Sequence, residues 1–223
     1  SQLKIYDCPQ LTSLQGLDGG LRNLELHNTG ITSLQGLENL EIDSINLSSN
    51  SALETLQGLN TGYTALGSFK CTNNGALQSL EGLMHVSQID ELWISNNSSL
   101  VNLDGLQNLT KAIYVFITGN ASLESIEQLQ SLATVGRDLE YMETTYPQVL
   151  TITGNNALET LDGIGNITSL KGLVEIEGNA SLKDLCAVLD ITGLAEMGGY
   201  TIMNNYNPAT YDELINGAAC SIE

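Results

Sequence analysis

The sequence predicts a mainly β protein with short helices, wound as a right-handed solenoid of about nine coils. Two observations carry that prediction. Apolar residues recur in a single frame of about 23 residues along most of the chain. One place in that frame is asparagine again and again: Asn50, Asn74, Asn97, Asn120, Asn155 and Asn179. Composition agrees with a folded domain, since 42% of the 223 residues are hydrophobic and 15% are charged.

The segment Leu92-Trp-Ile-Ser-Asn-Asn97-Ser-Ser-Leu100-Val-Asn-Leu103-Asp-Gly-Leu106 defines the frame. With Leu92 at offset 0, apolar residues fall at offsets 0, 2, 8, 11 and 14, and Asn at offset 5. Coils start at residues 3, 24, 45, 69, 92, 115, 150 and 174, and a degenerate ninth starts at Tyr200 with Asn205 in the asparagine column. The first coil has Cys8 in that column, and the second is one residue short in its turn. Spacing and pattern together are those of a leucine-rich-repeat-type solenoid.

Each column has a physical reason. Offsets 0 and 2 share one face of a short strand, which pairs in parallel with the next coil about 4.8 Å away. Nine strands then make a rod about 40 Å long. Offsets 8, 11 and 14 step inward from an irregular or 3₁₀-like return path. The offset-5 asparagine sits at a bend, where its amide can bond the backbone of its own and the neighbouring coil. Asn50, Asn74, Asn97, Asn120, Asn155, Asn179 and Asn205 are therefore read as a structural ladder. Glycine in the recurrent Leu-x-Gly-Leu, as at Gly36 and Gly105, permits a tight turn.

Function is read mostly by exclusion. Seven Lys and Arg against 26 Asp and Glu give a net charge of -19, the wrong sign for nucleic acid or for an anionic membrane surface. No run of about 18 apolar residues is present to span a bilayer. No phosphate loop, nucleophile elbow or HExxH motif occurs, and no spacing singles out an acid and base pair. With His27 and His85 the only histidines, there is no Cys/His metal pattern either. The expectation is a non-enzymatic chain with no cofactor and no metal.

Outward strand positions are the place to seek binding. Trp93, the only tryptophan, and Phe116 lie at offset 1 of adjacent coils, and Tyr114 precedes Phe116. The sixth coil is 35 residues, about 12 longer than its neighbours, and the excess within Ala133–Gln148 carries Tyr141 and Tyr146. Insertions in repeats map to loops and often carry binding surface. Trp93, Tyr114, Phe116, Tyr141 and Tyr146 are the candidate ligand-binding patch. The competing reading is that the insertion packs on Trp93 and Phe116 as a satellite core. Three further alternatives are a polysaccharide-active enzyme on the solenoid, an ice-binding face built on Ser48, Thr72, Ser95, Thr118 and Thr153, and a purely structural surface module.

The segment Asn97-Ser-Ser-Leu-Val-Asn-Leu-Asp-Gly-Leu-Gln-Asn-Leu-Thr110, followed by Ile117-Thr-Gly-Asn-Ala-Ser-Leu123, resembles the receptor L domain. That is the leucine-rich-repeat-like module of insulin and epidermal growth factor receptor ectodomains. Thr134-Val-Gly-Arg-Asp-Leu139 is similar to a link between repeats in secreted bacterial members of the group. Leu185-Cys186, Gly199 to Pro208 and Gly217-Ala-Ala-Cys220 resemble their closing segment. The resemblance covers nearly the whole chain. It implies an extracellular or cell-surface module for recognition or adhesion, whose partner is a protein or a carbohydrate.

On this reading residues 1–223 form one solenoid domain, with repeats over about 1–182 and a C-terminal cap over about 183–223. The cap contains a helix-like stretch from Lys183 to Ala195, a last strand at Tyr200–Met203, and a short helix opened by Thr210-Tyr-Asp-Glu213. Cys186 and Cys220 lie at its two ends and are expected to form a disulfide; two buried free thiols are the alternative. Cys8 and Cys71 lie three coils apart, too far to pair, and are expected to be packed thiols. Ser1–Tyr6 already reads as an uncapped strand of the repeat, so the expectation is a part of a longer surface protein.

Overall fold

The structure, a computed structural model, describes residues 1–17, 19–59, 64–138, 147–192, 200–203 and 205. Strand formation follows the apolar columns. β1 (Gln2–Cys8), β2 (Asn23–Thr29), β3 (Ser44–Ser48), β4 (Ala65–Thr72), β5 (Gln88–Ser95) and β6 (Lys111–Thr118) each begin a coil. They are followed by β7 (Thr134–Gly136), β8 (Gln148–Thr153), β9 (Ser169–Lys171), β10 (Leu173–Glu177) and β11 (Tyr200–Met203). All pair in parallel, in the order β1-β2-β3-β4-β5-β6-β8-β10-β11, with β7 and β9 on a side branch from β6. The result is a β-solenoid of about 8 turns.

Register keeps each column in line. Ile45 pairs with Phe69, Phe69 with Leu92, Leu92 with Val115, and Val115 with Leu150. The inward side chains of these strands meet the leucines of the return path, such as Leu77, Leu80 and Leu83, in one continuous core. Each fully buried leucine stabilises the fold by about 1.5–3 kcal/mol relative to exposure. Two further inward columns complete that core. One lies three residues before offset 0, at Leu66, Ile89 and Ala112; the other lies at offset 17, at Val86, Leu109 and Leu132.

The asparagine column is a hydrogen-bonded ladder through the core. Asn97 Nδ2 donates to the Cys71 carbonyl at 3.0 Å, and Asn97 Oδ1 accepts the Asn74 backbone N–H at 3.0 Å. The same two bonds join Asn50, Asn74, Asn120, Asn155, Asn179 and Asn205 to the coil before each. In the second coil Thr29 holds the column, and its Oγ1 donates to Asn50 Oδ1 at 2.6 Å.

Immediately before this column the chain turns through the left-handed region. Asp7, Asn28, Ser49, Asn73 and Asn96 have φ between 50° and 57°, and Gly119, Gly154 and Gly178 have φ of 66° to 67°. Asn, Asp and Gly tolerate that conformation best among L-residue positions. The bend frees the N–H of this residue to reach the next coil, as when Asn96 donates to the Thr118 carbonyl at 2.9 Å.

Return-path glycines have a second role. Gly105 has φ +118°, and a Cβ there would collide with the Leu80 carbonyl of the coil below. Turns of successive coils therefore pack backbone on backbone.

The long coil differs from its neighbours in one respect. β7 and β8 are the two halves of one strand, because Thr134 and Val135 pair with Lys111 and Ala112 while Leu150 pairs with Val115. The extra chain leaves between Gly136 and Gln148, in mid-strand, within the segment where the length excess placed it. Residues 139–146 lie outside the described residues.

Two expectations are revised. Within the described part of the helix-like stretch expected from Lys183 to Ala195, the helix is α1, Cys186–Asp190. Asp184 Oδ1 accepts the Cys186 N–H at 2.8 Å at its start, and Ile191 is already extended at its end. Cys8 is exposed rather than packed, since its column lies on the edge strand β1, while Cys71 is buried. Burial raises the Cys71 thiol to about 12, opposed by a bond from Asn74. Alkylation of the native chain at mildly alkaline pH is therefore expected to label Cys8 and spare Cys71, as peptide mapping would show. Cys220, the Thr210 helix and the pairing expected for Cys186 fall outside the described residues.

Candidate functional site

The outward face of the strands carries the candidate site. Trp93 and Phe116 are paired residues of β5 and β6, and their rings stack with centroids 4.0 Å apart and planes 21° apart. Tyr114 joins the row at 6.4 Å from Phe116. All three are half-buried. Lys70, the register partner of Trp93 on β4, holds its ammonium 5.4 Å from the indole centroid. The indole is therefore sandwiched between a cation and a ring, and it presents an edge outward rather than a flat face.

Strand pairing forces this arrangement. Side chains at one offset lie about 4.8 Å apart from coil to coil, so planar groups in one column stack. The structure brings Trp93, Tyr114 and Phe116 together; Tyr141 and Tyr146 lie outside the described residues.

Among the described residues, two buried polar atoms in this row have no hydrogen-bond partner. Trp93 Nε1 and Thr151 Oγ1 are both covered and unbonded. Thr151 is the register partner of Phe116 on β8. It points outward yet is only 5% exposed, and Val149 two residues earlier is fully buried. β8 is thus covered on both faces where the aromatic row reaches it. Sequence patterning missed this, because Val149 alternates onto the face otherwise read as solvent-exposed.

Toward the other end of the rod the same face is polar. A groove of about 280 Å3 runs across β1 to β5. Lys4 pairs with Glu25 and Lys70 with Glu91, each at 2.7 Å. Bonds from Lys4 and then Tyr6 hold Glu25 below the usual carboxylate range, and Glu25 in turn raises Lys4 and Tyr6. The offset-3 hydroxyls are partly spent on each other and on neighbours: Ser95 with Thr118 at 2.6 Å, Ser48 with His27 at 2.9 Å.

A larger cleft of about 500 Å3 lies on the return-path side near α1, among Gln107, Gln128, Asp162, Asn166 and Asp190. Its amides hold the turns. Gln107 accepts the Gly105 N–H, Gln128 donates to Asp104, and Asn166 donates to the Gln130 carbonyl. Among the described residues no three His, Cys, Asp or Glu side chains converge as metal ligands do. No helix among them is long and apolar enough to cross a membrane. Comparison with protein-family models, curated proteins and solved structures finds no match.

Proposed function

We propose that this chain is a non-catalytic recognition or adhesion module of the receptor L-domain and leucine-rich-repeat kind. It acts outside the cell or at its surface and binds a protein or carbohydrate through the outward strand face. The aromatic row of Tyr114, Phe116 and Trp93 carries the reading. On a face otherwise lined by small polar and charged side chains, it supplies the apolar contact that interfaces favour. Buried polar atoms without partners are rare in folded proteins. Trp93 Nε1 and Thr151 Oγ1 are two such atoms among the described residues, on the coils that flank Phe116. The anionic state of Glu25, held low by Lys4, suits a hydrogen-bond acceptor better than a proton donor.

The test is a binding screen of polysaccharides, glycans and peptides, read by the fluorescence of the single tryptophan. A ligand is expected to shift Trp93 emission, and Trp93→Ala is expected to weaken that ligand at least tenfold in a label-free assay. Emission that no ligand moves and no quencher reaches would show the row to be a satellite core.

A further inference from the structure

The polar groove beside the aromatic row has a composition that narrows the ligand class; this inference rests on the recognition reading above. Each coil offers the groove one pair of outward side chains. They are Asn23 and Glu25 on β2, Ser44 and Asn46 on β3 and Ser68 and Lys70 on β4, with Glu91 alone closing the row on β5. Short side chains at Ser44, Asn46 and Ser68 make the depression, and longer ones at Glu25, Lys70 and Glu91 wall it.

Among the described residues, Asn23, Ser44, Asn46 and Ser68 make no side-chain hydrogen bond. The amides of the core ladder and of the return-path cleft are used structurally. Here a run of amides and hydroxyls over three coils is left free to bond something outside. Charge selects further. Only seven cationic residues offset 26 acidic ones, yet two of the seven, Lys4 and Lys70, stand on this face, each cancelling a glutamate. The groove is locally neutral on a strongly anionic protein. An anionic chain would be repelled by the rest of the molecule, and a basic peptide would find better partners at unpaired carboxylates elsewhere.

Spacing fits the same class. Successive coils are about 4.8 Å apart, close to the length of one pyranose unit in an extended sugar chain. A glycan laid along the rod therefore meets at least one amide or hydroxyl per unit across β2, β3 and β4. The volume, about 280 Å3, suits a shallow open groove for a chain rather than an enclosing pocket.

We infer that this groove binds a neutral oligosaccharide lying along the rod axis, with Asn23, Ser44, Asn46 and Ser68 bonding its hydroxyls and Glu25 and Glu91 accepting from them. The test is titration calorimetry of the whole chain with neutral glucan, mannan, xylan and galactan oligomers, and with polygalacturonate and oligolysine as charged controls. A neutral oligomer is expected to bind with little change between about 0.05 and 0.3 M salt. Asn46→Ala is expected to weaken it about tenfold, and Ser68→Tyr, which fills the groove, to abolish it. Both side chains face outward and hold nothing in the fold, which circular dichroism would verify. The groove assignment falls if no neutral oligomer binds at millimolar concentration, if neither variant changes binding, or if only a charged control binds. Should a protein or peptide ligand then require Trp93, the recognition reading stands without the sugar; should nothing depend on Trp93 either, both fall together.

Discussion

Gly105→Ala is expected to destabilise the protein by about 4 kcal/mol. A residue with a side chain at φ +118° is in sparsely populated backbone space, which costs about 1–3 kcal/mol. The added methyl also meets the Leu80 carbonyl and the Glu81 amide of the coil below, both main-chain atoms that cannot swing aside. Overpacking of this kind adds about 1–3 kcal/mol. Gly75→Ala is the matched control. Its Cβ would find only the Ser98 hydroxyl at 3.4 Å, and its φ is not in the strained region. Urea unfolding of the two variants beside the parent should show a lower midpoint for Gly105→Ala and one within about 0.5 kcal/mol of the parent for Gly75→Ala. Equal midpoints would mean that the turns of adjacent coils are not in backbone contact.

Asn97→Leu is expected to cost about 3–5 kcal/mol, although it replaces a fully buried polar residue by an apolar one of similar size. The loss is not in Asn97 itself. Its removal leaves the Asn74 N–H and the Cys71 carbonyl buried with no bond to replace those at 3.0 Å, and each orphaned group costs about 1–3 kcal/mol. Asn74 Nδ2 keeps its bond to the Leu47 carbonyl at 3.0 Å, so the damage is confined to one rung. In a solenoid whose stability is summed over coils and their interfaces, unfolding should become broader or biphasic as the chain weakens in the middle. A single sharp transition at the parent's midpoint would refute the ladder's role.

Much of this architecture was legible because solenoid physics writes itself in columns. The strand positions at offsets 0 and 2 and the asparagine at 5 recur because each coil meets the same neighbour in the same way. What period-two alternation could not reveal is the inward column three residues before offset 0. In β4, Leu66 and Phe69 are both buried with Gly67 and Ser68 between them. The register steps over Gly67, which interrupts the alternation of an ideal strand. The left-handed column was visible in principle as Asp7, Asn28, Ser49, Asn73, Asn96, Gly119, Gly154 and Gly178, but its residue types look unlike one another until φ unites them. At the site, the pairing of Trp93 with Phe116 was readable from the offset. The lysine above the indole and the covered outer face of β8 were not, because they depend on side-chain reach and on burial across coils.

The split strand of the long coil has a consequence for how such a protein can change. β7 and β8 each keep their hydrogen bonds to β6, and the asparagine ladder passes the split without a gap, from Asn120 to Asn155 at 3.0 Å. The residues between Gly136 and Gln148 can therefore lengthen, shorten or be exchanged at a closure cost that rises only logarithmically with their number. The rod works as a chassis with a socket in its side. Variation fitted there changes the length and chemistry of that segment while the frame that carries it is inherited unchanged.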